Sequence, residues 1–174
     1  MSVQKFFGKF RGTVLNNIDP MGIGRIQASV PAVSGLLPTS WCLPCFPAAG
    51  KLMGLCAMPQ IGAGVWIEFE GGDPDYPIWS GCFWGLAAEV PSDAALPSAS
   101  NNPATPSIVM QTTLLNKVVI SDVPGPTGGI ILQINTGASI KINTLGITIS
   151  NGLGASITLQ GPKVDINQGA LSIV

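Results

Sequence analysis

Histidine is missing from this chain altogether. With it goes the general base that most often activates a serine or cysteine nucleophile. Charge is scarce too. Only 10% of residues are Asp, Glu, Lys or Arg and the net charge is −1, so no long-range field draws the protein to nucleic acid or an anionic membrane. Long apolar runs are also lacking. The longest charge-free stretches, 26–50 and 94–116, are broken by Pro31, Pro38, Pro44 and Pro47 and by Pro97, Pro103 and Pro106. Neither offers the ~20 apolar helix-forming residues that a bilayer requires. Residues 1–11 carry lysines but no apolar signal core, so folding in a cytoplasm is expected.

What the chain has instead is apolar content and punctuation. Hydrophobic residues make up 46% of 174 residues, more than one or two small domains can bury alone, which points to assembly. The 22 glycines and 15 prolines suit short strands and turns better than helices. In the first part, Val65, Ile67 and Phe69 alternate with Trp66, Glu68 and Glu70, the period-2 signature of a strand with two unlike faces. Gly71-Gly72-Asp73-Pro74-Asp75 then supplies a turn, and Tyr76 to Gly81 a return strand. Residues 6–15, Gly24–Val30 (ending at Pro31) and Leu52–Met58 (ending at Pro59) are further strand candidates, separated by the turn residues 16–22 and a proline-rich segment, 31–47. About five strands without a convincing helix predict a small Greek-key barrel over 1–85.

Residues 86–107 shift to Ala, Ser, Asn and Pro and read as an extended linker. From Ile108 to Val174 a repeat takes over. Apolar-polar-apolar triplets recur at Ile140-Lys141-Ile142, Ile147-Thr148-Ile149, Ile157-Thr158-Leu159, Val164-Asp165-Ile166 and Leu171-Ser172-Ile173, punctuated by Gly137, Gly146, Gly154, Gly161 and Gly169. This is solenoid grammar. Strands so short have little to bury against within one chain, and three copies wound around one axis would give each strand a neighbour and close a common apolar core.

Candidate chemistry is thin. Cys42-x-x-Cys45 has redox or zinc spacing and Cys56 and Cys82 could complete a four-sulfur site, but the second pair forms no CxxC knuckle. Buried or unreactive thiols are the better reading. Glu68, Glu70, Asp73 and Asp75 could hold a divalent cation but lack calcium-loop spacing, and a solvated turn and strand face accounts for them. No sugar cleft that would raise a catalytic carboxyl is evident. Met21-Gly22-Ile23-Gly24 is a turn rather than a dinucleotide fingerprint. Lys51, Lys117, Lys141 and Lys163 sit near no motif. A small β-barrel that binds single-stranded nucleic acid is the alternative reading. It requires basic residues among stacking aromatics, whereas residues 1–90 hold five basic side chains (Lys5, Lys9, Arg11, Arg25, Lys51) against six acidic ones, beside Trp41, Trp66, Trp79 and Trp84. No catalysis, cofactor or metal is expected.

The hairpin carries a resemblance. Pro59-x-Ile61-Gly62-x-Gly64-Val65-x-Ile67-x-Phe69-x-Gly71-Gly72-Asp73-Pro74-Asp75-x-Pro77-Ile78-x-x-Gly81 closely resembles the spike proteins of contractile injection machines, among them phage baseplate assembly protein V and the VgrG proteins of type VI secretion. Gly24-Arg25-Ile26-x-x-x-Val30-Pro31 and Trp41-Cys42 through Ala49-Gly50-Lys51 stand where that family has related segments. Departures at Ala63, Tyr76 and Cys42 touch no catalytic position. The resemblance implies an all-β chain: an N-terminal OB-fold barrel, then an intertwined triple-stranded β-helix that forms a trimeric needle. It also implies a separate hub protein at the barrel and, because no histidine is present to hold an iron tip, a PAAR-like cap over Leu171, Ser172, Ile173 and Val174. The location implied is the baseplate of a phage tail or tail-like particle assembled in a bacterial cytoplasm, with the target membrane met only on piercing and nucleic acid not bound.

Overall fold

The computed structural model describes residues 4–94 and 107–173. The chain divides into two compact units between Glu89 and Val90. Each is nearly all β.

The first unit is built from β1 (Phe10–Asn16), β2 (Gln27–Ser29), the single helical turn α1 (Pro31–Ser34), β3 (Leu43–Pro44), β4 (Ala48–Gly50), β5 (Met53–Leu55), β6 (Gly64–Phe69) and β7 (Pro77–Phe83). Five strands form one sheet in the order β2-β1-β6-β7-β3. Ile26 and Cys42 close it on itself: the Cys42 amide donates to Ile26 O at 2.8 Å and the Ile26 amide to Cys42 O at 3.3 Å. Closure removes the exposed sheet edges. The alternation read in residues 65–69 is the core alternation, since Val65 and Ile67 are fully buried and Phe69 nearly so. They meet Val14, Ile26, Ala28, Val30, Cys42 and Trp79, and each large side chain so buried contributes roughly 1.5–3 kcal/mol. The Trp79 indole N–H also donates to Gly24 O at 3.0 Å, so the ring costs no unsatisfied donor. Between Val65↔Cys82 and Ile67↔Trp79, β7 holds one residue more than β6. Gly81, at φ 139°, absorbs this bulge. The strand expected over Leu52–Met58 is only β5, paired with β4 in a separate two-stranded ribbon whose residues are all exposed.

The second unit is an antiparallel meander: β8 (Ser107–Gln111), β9 (Lys117–Ser121), β10 (Gly129–Gln133), β11 (Ser139–Asn143), β12 (Gly146–Ser150), β13 (Ser156–Gln160), β14 (Lys163–Ile166) and β15 (Leu171–Ile173), each hydrogen-bonded to the next. Here the structure differs from the expectation that other copies supply each strand's neighbour. The ladder partners come from the same chain, because two- to seven-residue turns return the backbone directly beside the strand just made. Side-chain amides fasten those turns: Asn116 Oδ1 accepts from the Asn135 amide at 3.1 Å, Asn151 Oδ1 from Leu153 and Ala155, and Asn167 Oδ1 from Ser156 at 3.0 Å. What the strands lack within one chain is cover for a face.

Candidate assembly surface

The register of the meander aligns its apolar residues across all eight strands. Ile108, Ile120, Ile130, Ile142, Ile147, Leu159, Val164 and Ile173 stand opposite one another in one row. Met110, Val118, Leu132, Ile140, Ile149, Ile157, Ile166 and Leu171 form a second row on the same face. At ~4.8 Å per strand, the rows run about 34 Å. Twelve of these sixteen are 39–63% exposed. A continuous apolar strip of this length far exceeds the scattered hydrophobics that soluble monomers show.

The other face has a different chemistry. Its central row reads Val109, Val119, Ile131 and then Lys141, Thr148, Thr158 and Asp165. Lys163 lies 2.6 Å from Asp165, holding that carboxyl below the ordinary carboxylate range, with the Gly169 amide adding to the effect. A shallow polar groove runs past Ser156, Thr158, Gln160 and Gln168. At the start of the meander, Val119 is buried, and the Ser92–Ala94 turn packs on β8, tied down by Lys117 to Asp93 at 2.6 Å.

The hairpin residues have structural duties in the barrel. Gly71 and Gly72 take φ of 57° and 74°, where an L side chain is strained. A Cβ at Gly72 would press on the Phe7 ring and Lys5 Cβ, so glycine lets the N-terminal segment lie close. The Phe6 amide donates to Gly72 O at 2.8 Å and Lys5 Nζ reaches Asp73 at 3.3 Å. Asp73 also accepts from the Asp75 amide, closing an Asx turn ahead of buried Pro77, with Pro74 between them. Asp73 is therefore engaged rather than free, and its carboxyl sits below its usual range through that amide and Lys5.

Among the described residues no chemistry converges elsewhere. Cys42 lies in the core with Sγ 3.2 Å from Thr39 Oγ1, and burial pushes its thiol up, while Cys45, Cys56 and Cys82 are exposed. Among the described residues no three His, Cys, Asp or Glu side chains stand close enough to share a metal ion. Lys9 pairs with Glu68 at 2.6 Å. The Arg11 guanidinium lies over both Trp66 and Phe83, and Arg25 over Trp41, so these cations serve the barrel's own rings.

Two family models match. Residues 10–84 fit the type VI secretion system/phage-baseplate injector OB domain, and residues 107–172 the phage baseplate V C-terminal trimerisation domain. The chain belongs to the phage baseplate V family. No curated protein matches it. Membership makes it a structural baseplate protein of an OB domain and a trimerisation domain, and a homotrimer. The two apolar rows lie almost wholly within the trimerisation domain, which explains why one copy leaves them bare. The hairpin lies within the OB domain. Of the C-terminal residues singled out in the sequence, Leu171 and Ile173 end the two rows and remain more than half exposed. The side chain of Ser172 and all of Val174 lie outside the described residues.

One barrel feature was not visible as more than turn composition. Asp19 accepts from the amides of Met21, Ile23 and Arg25 and from the Arg25 guanidinium, its Nη2 at 2.7 Å. Its side chain is only 4% exposed. Arg25 first, then these amides, hold its carboxyl well below the carboxylate range. A depressed folded pKa contributes stability above the unfolded value near ~3.9, and that stability is lost as pH falls toward the folded value. Asp19→Asn should therefore lower the melting temperature by about 5 °C at pH 7. The gap from wild type should narrow below about pH 4, and an equal gap at pH 3 and pH 7 would show that charge on Asp19 is not what matters.

Proposed function

We propose that this baseplate protein is the central spike of a contractile injection machine, driven tip-first through the target envelope when the sheath contracts. The two eight-residue apolar rows on the trimerisation domain carry this reading. Three such faces turned toward one axis bury each other and make a dry, stiff prism, the triple-stranded β-helix of the needle. Each chain's own ladder supplies the hydrogen bonds along it. Residues 1–85 form the adaptor barrel, which meets a separate hub protein, and the needle begins with β8 at Ser107; of the linker expected over 86–107, residues 95–106 lie outside the described residues. The apolar end at Leu171, Ser172, Ile173 and Val174 is capped by a PAAR-like tip protein. The work is mechanical, with no catalysis, cofactor or nucleic acid involved, and takes place in a tail or tail-like particle assembled in the host cytoplasm.

Potassium efflux from target cells tests the piercing role. Particles built with a chain lacking residues 146–173, which keeps the barrel and the first four strands of the meander, should contract their sheaths but release potassium at least about tenfold more slowly. That corresponds to roughly 1.4 kcal/mol or more in the barrier to breaching. Equal efflux from contracted particles of both kinds contradicts a piercing needle.

A further inference from the structure

We propose that the β4–β5 ribbon of one copy docks on the β6–β7 turn of the next copy's barrel, making a second, head-to-tail contact ring within the trimer. The inference rests on the trimer and adds a barrel interface to it. Among the described residues, no hydrogen bond joins 48–55 to the rest of the barrel. A lone two-stranded ribbon is marginal in water unless something packs on it. This one presents Leu52 at 99% exposure, with Met53 and Leu55 both more than half exposed. Leu52 also takes φ 60°, a left-handed conformation in which glycine or asparagine costs less. A leucine there gains nothing from its own chain and everything from an apolar contact outside it.

Charge identifies the occupant. In the barrel, Lys5, Lys9 and Arg25 are paired with carboxylates and Arg11 is stacked on rings. Among its described residues this leaves Lys51, beside Leu52 at the ribbon tip, as the cation with neither kind of partner. Of the barrel's carboxylates, Asp19, Glu68 and Asp73 are paired and Glu89 caps the Gly85 amide. Among the described residues Glu70 and Asp75 stand exposed and without an ion pair, one on each side of the β6–β7 turn, with Tyr76 63% exposed beside them. A threefold ring must join two different, complementary patches of each copy. A ribbon tip of Lys51-Leu52-Met53 and a turn of Glu70, Asp75 and Tyr76 form such a pair. Tethering by the trimerisation domain holds the barrels at high effective concentration, so even a modest contact closes.

Cross-linking in the full chain tests this. With Cys45, Cys56 and Cys82 changed to Ser and buried Cys42 retained, Lys51→Cys combined with Asp75→Cys is treated with a short bifunctional thiol reagent. Most chains should run as covalent dimers and trimers on a denaturing gel, while either single variant stays monomeric. Adding Lys51→Glu to an otherwise native chain should loosen the ring, and Asp75→Lys should restore it. Read as protection of Tyr76 from modification, each step is expected to change by about fivefold. Light scattering is run on the same samples. Three chains without cross-links overturns the ribbon contact and leaves the trimer standing, as does cross-linking no greater than in the single variants. A single chain overturns both.

Discussion

Ile149→Asp should convert the trimer into monomers at micromolar concentration. Ile149 stands in the middle of the second apolar row, between Ile140 and Ile157 on the neighbouring strands. Each copy loses the burial of an isoleucine, about 1.5–3 kcal/mol. It also brings an unpaired carboxylate to the axis, at several kcal/mol more. Threefold symmetry repeats the penalty three times, so the trimer should weaken by more than ~10⁶-fold. The barrel should be untouched. All four tryptophans, Trp41, Trp66, Trp79 and Trp84, lie in the first unit, so their fluorescence reports its fold alone. Thr148→Asp is the control, one residue away on the opposite face beside Lys141 and Thr158. It should leave the trimer intact. If Ile149→Asp stays trimeric while Thr148→Asp dissociates, the inward face has been assigned backwards.

The second large effect is expected at Gly146, which opens β12 at φ 139°. A Cβ there would overlap the carbonyl oxygen of Leu159 and sit 3.0 Å from its carbon. Both are backbone atoms of the neighbouring strand, so nothing flexible can yield. Gly129 opens β10 in the same way, against the Ile142 carbonyl. Gly146→Ala should cost roughly 3 kcal/mol or more per chain and melt the meander well below the barrel. Gly154→Ala separates sterics from backbone strain, since Gly154 has φ 108° but open space where its Cβ would stand. Its cost should stay near 1–2 kcal/mol. Equal losses at the two sites would mean that the close approach at Gly146 does not constrain the ladder.

The sequence showed most of this where burial is one-sided. Val65, Ile67 and Phe69 alternate because one face of β6 meets the core and the other does not. The five triplets from Ile140 onward are five strands of the meander. Its first three strands did not stand out as triplets, because Val109, Val119 and Ile131 put apolar groups on the second face as well and erase the alternation. Pairing was harder to read, since a period-2 pattern fixes which face is buried but not whose strand lies alongside. That is why a ladder within one chain and a ladder between chains looked alike. The Asp19 loop was legible as a turn, yet its organising ion pair with Arg25 depends on where the chain returns. Residues 52–58 resembled an ordinary core strand, because exposure leaves no mark on so short an apolar segment, and only Met53–Leu55 of them forms a strand, in the exposed ribbon.

A trimeric needle requires that the two apolar rows be buried between copies. Multi-angle light scattering of the purified full chain, after size exclusion and at micromolar concentration, measures this directly. Three chains per particle, falling to one in Ile149→Asp with tryptophan fluorescence unchanged, is the expected result. A stable, soluble monomer of the native chain would mean that the rows need no partner, and would contradict it.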